Sequence, residues 1–282
     1  MQLALSYRLD KSHSMNSRRY ALSELRGLTA EQLSSVQGVP ARFSMVREAG
    51  RLDCDGIVRQ WRGTGECRFL PDAAFAAALE RRGIGRPNAQ QQYQLTLQDV
   101  GTPLLQELER QGYRQPDLKG LVAAGIHGVT APYVRSIAES GYRLGDVNDL
   151  VKFRIHGVTS DYIRDMGALS PPGGRFSPDE LVSMRIHGIS PEKVRQYASL
   201  GYRNLSRKQL MSMSIHGVTP TFISELSKAG YRNLSPEELV RMRIHGVTPG
   251  YIQEMRAAGY QLPSADQLVR MRISGFRPGR HR

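Results

Sequence analysis

Arg243-Ile244-His245-Gly246-Val247-Thr248-Pro249 is the stretch that decides the fold, because copies of it return along the C-terminal two thirds of the chain. Ile-His-Gly, then Val or Ile, then Thr or Ser, stands around His127, His156, His187, His216 and His245, and a worn sixth copy reads Ile273-Ser274-Gly275-Phe276. Subtracting successive positions gives 29, 31, 29, 29 and 29. A unit of that length is one supersecondary element that cannot bury its own apolar face, so the copies must stack.

Within one copy, Ser235-Pro236-Glu237-Glu238 is a capping box with proline at the first helical position, and Leu239 to His245 reads as a short helix stopped at Gly246. Thr248-Pro249 starts a second helix running to Ala258 and stopped by Gly259. Two helices per copy predict an αα-hairpin repeat solenoid over residues 93–282, about six repeats long. Its hairpin glycines are Gly128, Gly157, Gly188, Gly217 and Gly246. Leu239, Met242 and Ile244 are expected to form the apolar side of the first helix, and Tyr251, Ile252, Met255 and Ala258 that of the second. Tyr113, Tyr142, Tyr202, Tyr231 and Tyr260 follow the terminating glycines, so their rings should pack between repeats with hydroxyls at the surface. Residues 168–176 put Pro171-Pro172 and Gly173-Gly174 where Gly-Tyr is due, which predicts an exposed hinge.

Residues 1–92 read as a small α+β domain, so the whole chain falls in the α+β class. Gln2 to Leu9, Arg42 to Arg47, Arg51 to Val58 and Gly65 to Leu70 are short runs parted by glycine-containing turns, the pattern of an antiparallel meander. Residues 21–33 carry the capping signal Thr29-x-x-Gln32 of a short helix, and residues 71–82 are an alanine-rich helix stopped by Gly83. A degenerate first repeat from Tyr93, with Leu97-Gln98-Asp99-Val100 in place of Ile-His-Gly-Val, is expected to couple the sheet to the array. A turn centred on Gln60-Trp61 pairs positions whose numbers sum to 121, which sets Cys54 opposite Cys67. That pair forms a disulfide in an oxidising compartment and is two buried thiols otherwise.

The chain carries a formal charge of +13, 40% hydrophobic and 23% charged residues. No apolar run approaches the ~20 residues of a membrane helix. The charge points to an anionic partner, whether protein, nucleic acid or lipid headgroup. Gln2-Leu3-Ala4-Leu5-Ser6-Tyr7 lacks the features of a signal peptide. The expectation is a cytoplasmic protein, or a periplasmic or extracytoplasmic one whose export signal has been removed.

HExxH, GxSxG, a Walker loop and paired CxxC motifs are missing, so the sequence predicts neither an enzyme nor a bound cofactor. Equivalent histidines on stacked helices cannot converge on one metal ion, because ligand nitrogens must lie within about 2.1 Å of it while packed helices sit about 8–10 Å apart. Each histidine precedes a helix-ending glycine and is expected to cap helix carbonyls. Arg154, Arg185, Arg243 and Arg272 are expected to pair with Asp165, Glu225 and Glu254. Lys152, Arg241 and Arg270, sharing a face with His156, His187, His216 and His245, make the candidate binding surface.

The unit at Arg243 to Tyr260 resembles the repeats in extracytoplasmic C-terminal tails of bacterial antirepressor-type membrane metallopeptidases, the β-lactam-sensor kind. The resemblance covers about residues 94–277 and implies a bacterial, non-catalytic module, without the membrane helices and zinc motif of those proteins. Ile244-His245-Gly246-Val247-Thr248 also resembles the hairpin of helix-hairpin-helix modules, which hold DNA backbone through amides. Here Thr replaces the second hairpin glycine, and Pro220 and Pro249 remove an amide from the anion-binding end. The leading expectation is a non-enzymatic interaction module with a protein partner. The alternative is nucleic-acid binding, of which only the weak, non-specific kind is expected, with Kd of about 10⁻⁴ to 10⁻⁶ M at physiological salt.

Overall fold

The computed structural model describes residues 2–9, 12–169, 174–261 and 263–276. It divides into two compact units, residues 1–155 and 156–282. No helix among the described residues is long and apolar enough to cross a membrane.

In the first unit, β1 (Gln2–Leu9) pairs antiparallel with β2 (Ser12–Arg19) as a two-stranded sheet. The expected meander contained no β2, because Ser12-His13-Ser14-Met15-Asn16-Ser17 shows no apolar alternation. The three-stranded sheet follows, with β3 (Val39–Arg47), β4 (Gly50–Arg59) and β5 (Arg62–Pro71) in sequence order. Gln60 and Trp61 both take positive φ, 45° and 64°, as the tight hairpin turn requires. The β4–β5 register therefore pairs Arg59 with Arg62 and Cys54 with Cys67.

Residues 21–33 do not form one helix. Leu22–Glu24 is a single 3-10 turn, Gly27 reverses the chain at φ +95°, and Arg26 bridges to Ser44 on β3. Only then does Thr29 cap α1 (Ala30–Ser34), its hydroxyl accepting from the Gln32 N–H while the Gln32 side chain accepts from the Thr29 N–H. Asp72 caps α2 (Ala73–Arg81), which ends where Gly83 takes φ +73°. One core holds this part together, built from Tyr20, Leu25, Leu33, Met45, Leu52 and Val58. Tyr93 and Leu97 of α3 (Ala89–Leu97) complete that core, and α3 also packs on α5, so the degenerate first copy belongs to both layers.

The helices that follow are nine residues each. The first unit continues with α4 (Thr102–Arg110), α5 (Leu118–Ile126), α6 (Ala131–Glu139) and α7 (Val147–Ile155). The second holds α8 (Ser160–Ala168), α9 (Pro178–Ile186), α10 (Pro191–Ser199), α11 (Arg207–Ile215), α12 (Pro220–Lys228), α13 (Pro236–Ile244), α14 (Pro249–Ala257) and α15 (Ala265–Ile273). Like helices stack on like. In the first unit α3, α5 and α7 form one row and α4 packs on α6; in the second, α11, α13 and α15 form one row and α8, α10, α12 and α14 the other. This is the α+β class with tandem helical repeats.

Each hairpin is closed by the same local chemistry. Ser235 accepts from the Glu238 N–H at 3.2 Å while Glu238 accepts from the Ser235 N–H at 2.8 Å, which starts α13. Gly246 at φ +69° ends it, with the Gly246 N–H bonded to Arg243 O and the Val247 N–H to Met242 O. Val247 is then fully buried and Thr248 caps α14.

One expectation about the repeats needs correction. The Tyr202 and Tyr231 hydroxyls are not left at the surface: they donate to Leu234 O and Pro263 O, 32 residues on, and so tie each repeat to the next. Residues 170–173 of the expected hinge lie outside the described residues. Its far end is pinned, because Phe176 is buried and Arg207 stacks on its ring while donating to Gly174 O and Arg175 O.

Candidate functional site

The fold leaves one recurring feature unused, at the C-terminal ends of the first helices. Ile186, Ile215, Ile244 and Ile273 of the second unit are 57%, 52%, 53% and 62% exposed, while Leu239, Val240 and Met242 beside Ile244 are buried. Helical geometry explains this. Leu239 and Met242 are three residues apart and share a face, but Ile244 is two residues beyond Met242, about 200° round the helix. The core-facing place in the next turn is taken by Val247, which is buried after the chain has reversed. Ile244 therefore does not belong to the apolar side of its helix, contrary to expectation. Ile126 and Ile155 repeat the arrangement in the first unit.

The adjoining histidines are equally free of structural duty. His187, His216 and His245 are exposed and His156 is half-buried. His187, His216 and His245 each end their helix through the backbone, as the His245 N–H bonded to Arg241 O shows. The imidazoles of His187, His216 and His245 make no hydrogen bond among the described residues, so the expected side-chain cap is absent. Among those residues no group of three or more His, Cys, Asp or Glu side chains is placed to hold a metal ion.

The arginine series is tied down, but not to carboxylates. In the first unit the Arg154 guanidinium lies 4.8 Å from the Tyr133 ring centroid and its Nε donates to His127 O at 3.2 Å. In the second, Arg185 stacks on Tyr162 and donates to His156 O at 3.0 Å, and Arg243 stacks on Phe222 and donates to Gly217 O at 2.9 Å. Arg272 stacks on Tyr251 at 4.7 Å. Asp165 bonds instead to its neighbour Arg164, and Glu225 and Glu254 form no ion pair among the described residues. The expected ion pairs lose because a carbonyl at a helix end and an aromatic face lie closer to the guanidinium. Each arginine thus lies over the preceding hairpin with part of its donor fork turned to solvent. Burial beneath this layer pushes the Tyr162 hydroxyl up to about 12.

The remaining candidates are placed as follows. Lys152 is exposed on α7 of the first unit. Arg241 and Arg270 are exposed on adjacent helices α13 and α15, Arg241 also bonding Asp266 at 2.9 Å. Gly157, Gly188, Gly217 and Gly246 of the second unit hold φ between 65° and 69°, and Gly128 of the first holds 71°. In the second unit the structure brings Ile, His and Arg together at the His216 and His245 hairpins, through Arg243 and Arg272, and aligns these hairpins along one edge of the row α11, α13, α15. The isoleucines were the residues that pattern reading misplaced. Their signal was available: one residue type in every copy at a position outside the core stripe.

Acidic residues on this row gather at the other end, in the first turns: Glu237, Glu238 and Asp266. Asp161 and Glu192 stand near the earlier hairpins, at the starts of α8 and α10, bonded to Arg164 and facing Arg195. The edge from Ile215 to Ile273 is therefore apolar and basic. Compared with protein-family models, with curated proteins and with solved structures, the chain matches none.

Proposed function

We propose that this protein is a non-enzymatic interaction module that binds a partner protein along the hairpin edge of its helical repeats. The observation that carries the reading is the row of half-exposed isoleucines, one per repeat, at a position the fold does not need to be apolar. A polar residue there would leave the buried stripe intact, so its apolar character points to contact with something else. The disulfide between Cys54 and Cys67 supports an oxidising, extracytoplasmic compartment. That setting agrees with the likeness to antirepressor-type repeat tails.

Nucleic acid ranks second. The basic edge would attract phosphate, but the isoleucines would face a polar backbone that gives them no contact.

A photo-crosslinking side chain at Ile244, used in extract of the source cells, tests the proposal. The expected result is one discrete adduct, also obtained from Ile215, lost on Ile186→Ser with Ile273→Ser, and not given by a probe at Val36, which is 68% exposed on the first unit. Identical adducts from Val36, or none from Ile215 and Ile244, would overturn it.

A further inference from the structure

We infer that the occupant of the edge from α11 to α15 is an acidic amphipathic helix with an apolar residue at every seventh position. This rests on the reading of that edge as a protein-binding surface and adds the chemistry of the partner. Two observations carry it: the shape of the apolar row and the sign of the charge beside it.

The row is one side chain wide. Ile215, Ile244 and Ile273 recur once per helix, and packed helices are about 8–10 Å apart. A partner running along the row must therefore present an apolar group about every 10 Å, always on the same side. An extended strand fails, because two residues advance only about 6.8 Å and three turn the side chain to the opposite face. An α-helix succeeds, since seven residues advance about 10.5 Å and complete nearly two turns. A single file also suits a rod better than a plane, which disfavours a bilayer surface.

Charge fixes the flanks. Beside the isoleucines stand Arg241, Arg243, Arg270 and Arg272, with His216 and His245. The carboxylates of α13 and α15 lie in their first turns, of which only Asp266 reaches back, to Arg241. The guanidinium of Arg243 is held by the Phe222 ring and Gly217 O, so it loses little freedom on meeting a carboxylate. Glutamates beside the apolar positions of the partner complement all of these groups.

The test uses the full chain and a synthetic helical peptide of roughly 24 residues, about 36 Å long. Leucine occupies every seventh position, with glutamate flanking it. Fluorescence anisotropy compares it with a scramble of equal composition, a version with lysine for glutamate, phosphatidylserine vesicles and duplex DNA. The heptad-spaced acidic peptide should bind and its scramble should not. Ile215→Ser with Ile244→Ser should weaken binding by about tenfold or more, with melting unchanged. Arg270→Glu should weaken it as well. Equal binding of the scramble, indifference to Ile→Ser, or Ile-dependent binding of vesicles or DNA in place of the peptide would overturn the inference. If the crosslink from Ile244 persists while the peptide fails, this inference falls and the proposed function stands; loss of both removes both.

Discussion

Lys193 Nζ donates a hydrogen bond to Ser214 Oγ at 2.8 Å, and this pair stands where the other hairpins have an arginine stacked on an aromatic ring. In the aligned positions Tyr133, Tyr162, Phe222 and Tyr251 meet Arg154, Arg185, Arg243 and Arg272; where the ring is lost, at Lys193 and at Leu104 of the degenerate first copy, the arginine is lost too, to Ser214 and Gly125. Ser214 Oγ keeps the remaining link by donating to His187 O at 2.6 Å. Ring and guanidinium are one unit, and a second cation in place of the ring would repel the first.

Restoring that unit should therefore need both halves. Lys193→Tyr with Ser214→Arg should stabilise the second unit by about 1 kcal/mol, a cation–π contribution. Each single change should be neutral or destabilising, with a coupling of at least about 0.5 kcal/mol in a urea-unfolding cycle. Additive effects would show that the two positions are independent.

Burial holds the Lys193 ammonium below its usual value of 10.5. A base depressed in the folded state leaves the unfolded chain binding more protons between the two values, so this group makes stability rise with pH on approach to 10.5. Lys193→Met should flatten that alkaline rise in melting temperature. An unchanged slope would mean the ammonium is better solvated than its position implies.

Glu107 gives stability a slope of the same sign at the acid end. Its carboxylate is buried on α4 and accepts from Arg135 at 3.0 Å, Gln111 at 2.9 Å and Arg110 at 2.6 Å. The hydrogen bond from Arg135 leads in holding it below the usual 4.5. A depressed acid contributes stability that is complete above the unfolded value and is lost as pH falls through the folded one. Acid unfolding below about pH 4.5 should therefore be shallower in Glu107→Gln, whose stability at pH 7 should already be lower. Identical acid limbs for both proteins would dismiss Glu107 as the titrating group.

The disulfide closes a 13-residue separation, for which chain entropy gives about 3 kcal/mol. Cys54→Ala with Cys67→Ala should lower the stability of the sheet by about that amount and make it insensitive to reductant. A wild-type melting curve unmoved by dithiothreitol would contradict this.

At the hairpins, Gly246→Ala should cost about 1–2 kcal/mol, because φ of +69° is unfavourable for a side chain and the new Cβ would meet Arg272 Nη2 at 3.1 Å. His245→Ala should stay within about 0.5 kcal/mol, since its imidazole is exposed and unbonded. A large loss from the histidine change would assign it a structural role.

Local chemistry made much of this molecule legible in advance. Capping boxes such as Ser235 with Glu238, prolines at helix starts and Gly246 after each first helix act within a few residues, so the repeat and its two helices follow from the chain itself. The Cys54–Cys67 pairing was equally local, because a two-residue turn sets the register of the whole hairpin. β2 was not legible, since it is defined by backbone pairing with β1 and carries no apolar alternation.

The candidate site divides along the same line. That Ile, His and, in most copies, Arg recur every 29 or 31 residues is plain in the sequence; whether they face core, carboxylate or solvent is not. Arg243 had Glu225 and Glu254 within the repeat plan as partners, and only the packing of α13 against the preceding hairpin gave it Phe222 and Gly217 O instead. Ile244 is apolar and one residue from a helix end, which suits burial until the reversal at Gly246 hands the core position to Val247. Sequence by itself determined the repeating unit, because caps and turns are short-range; the tertiary structure decided which side of that unit is left for a partner, because exposure depends on what the neighbouring repeat covers.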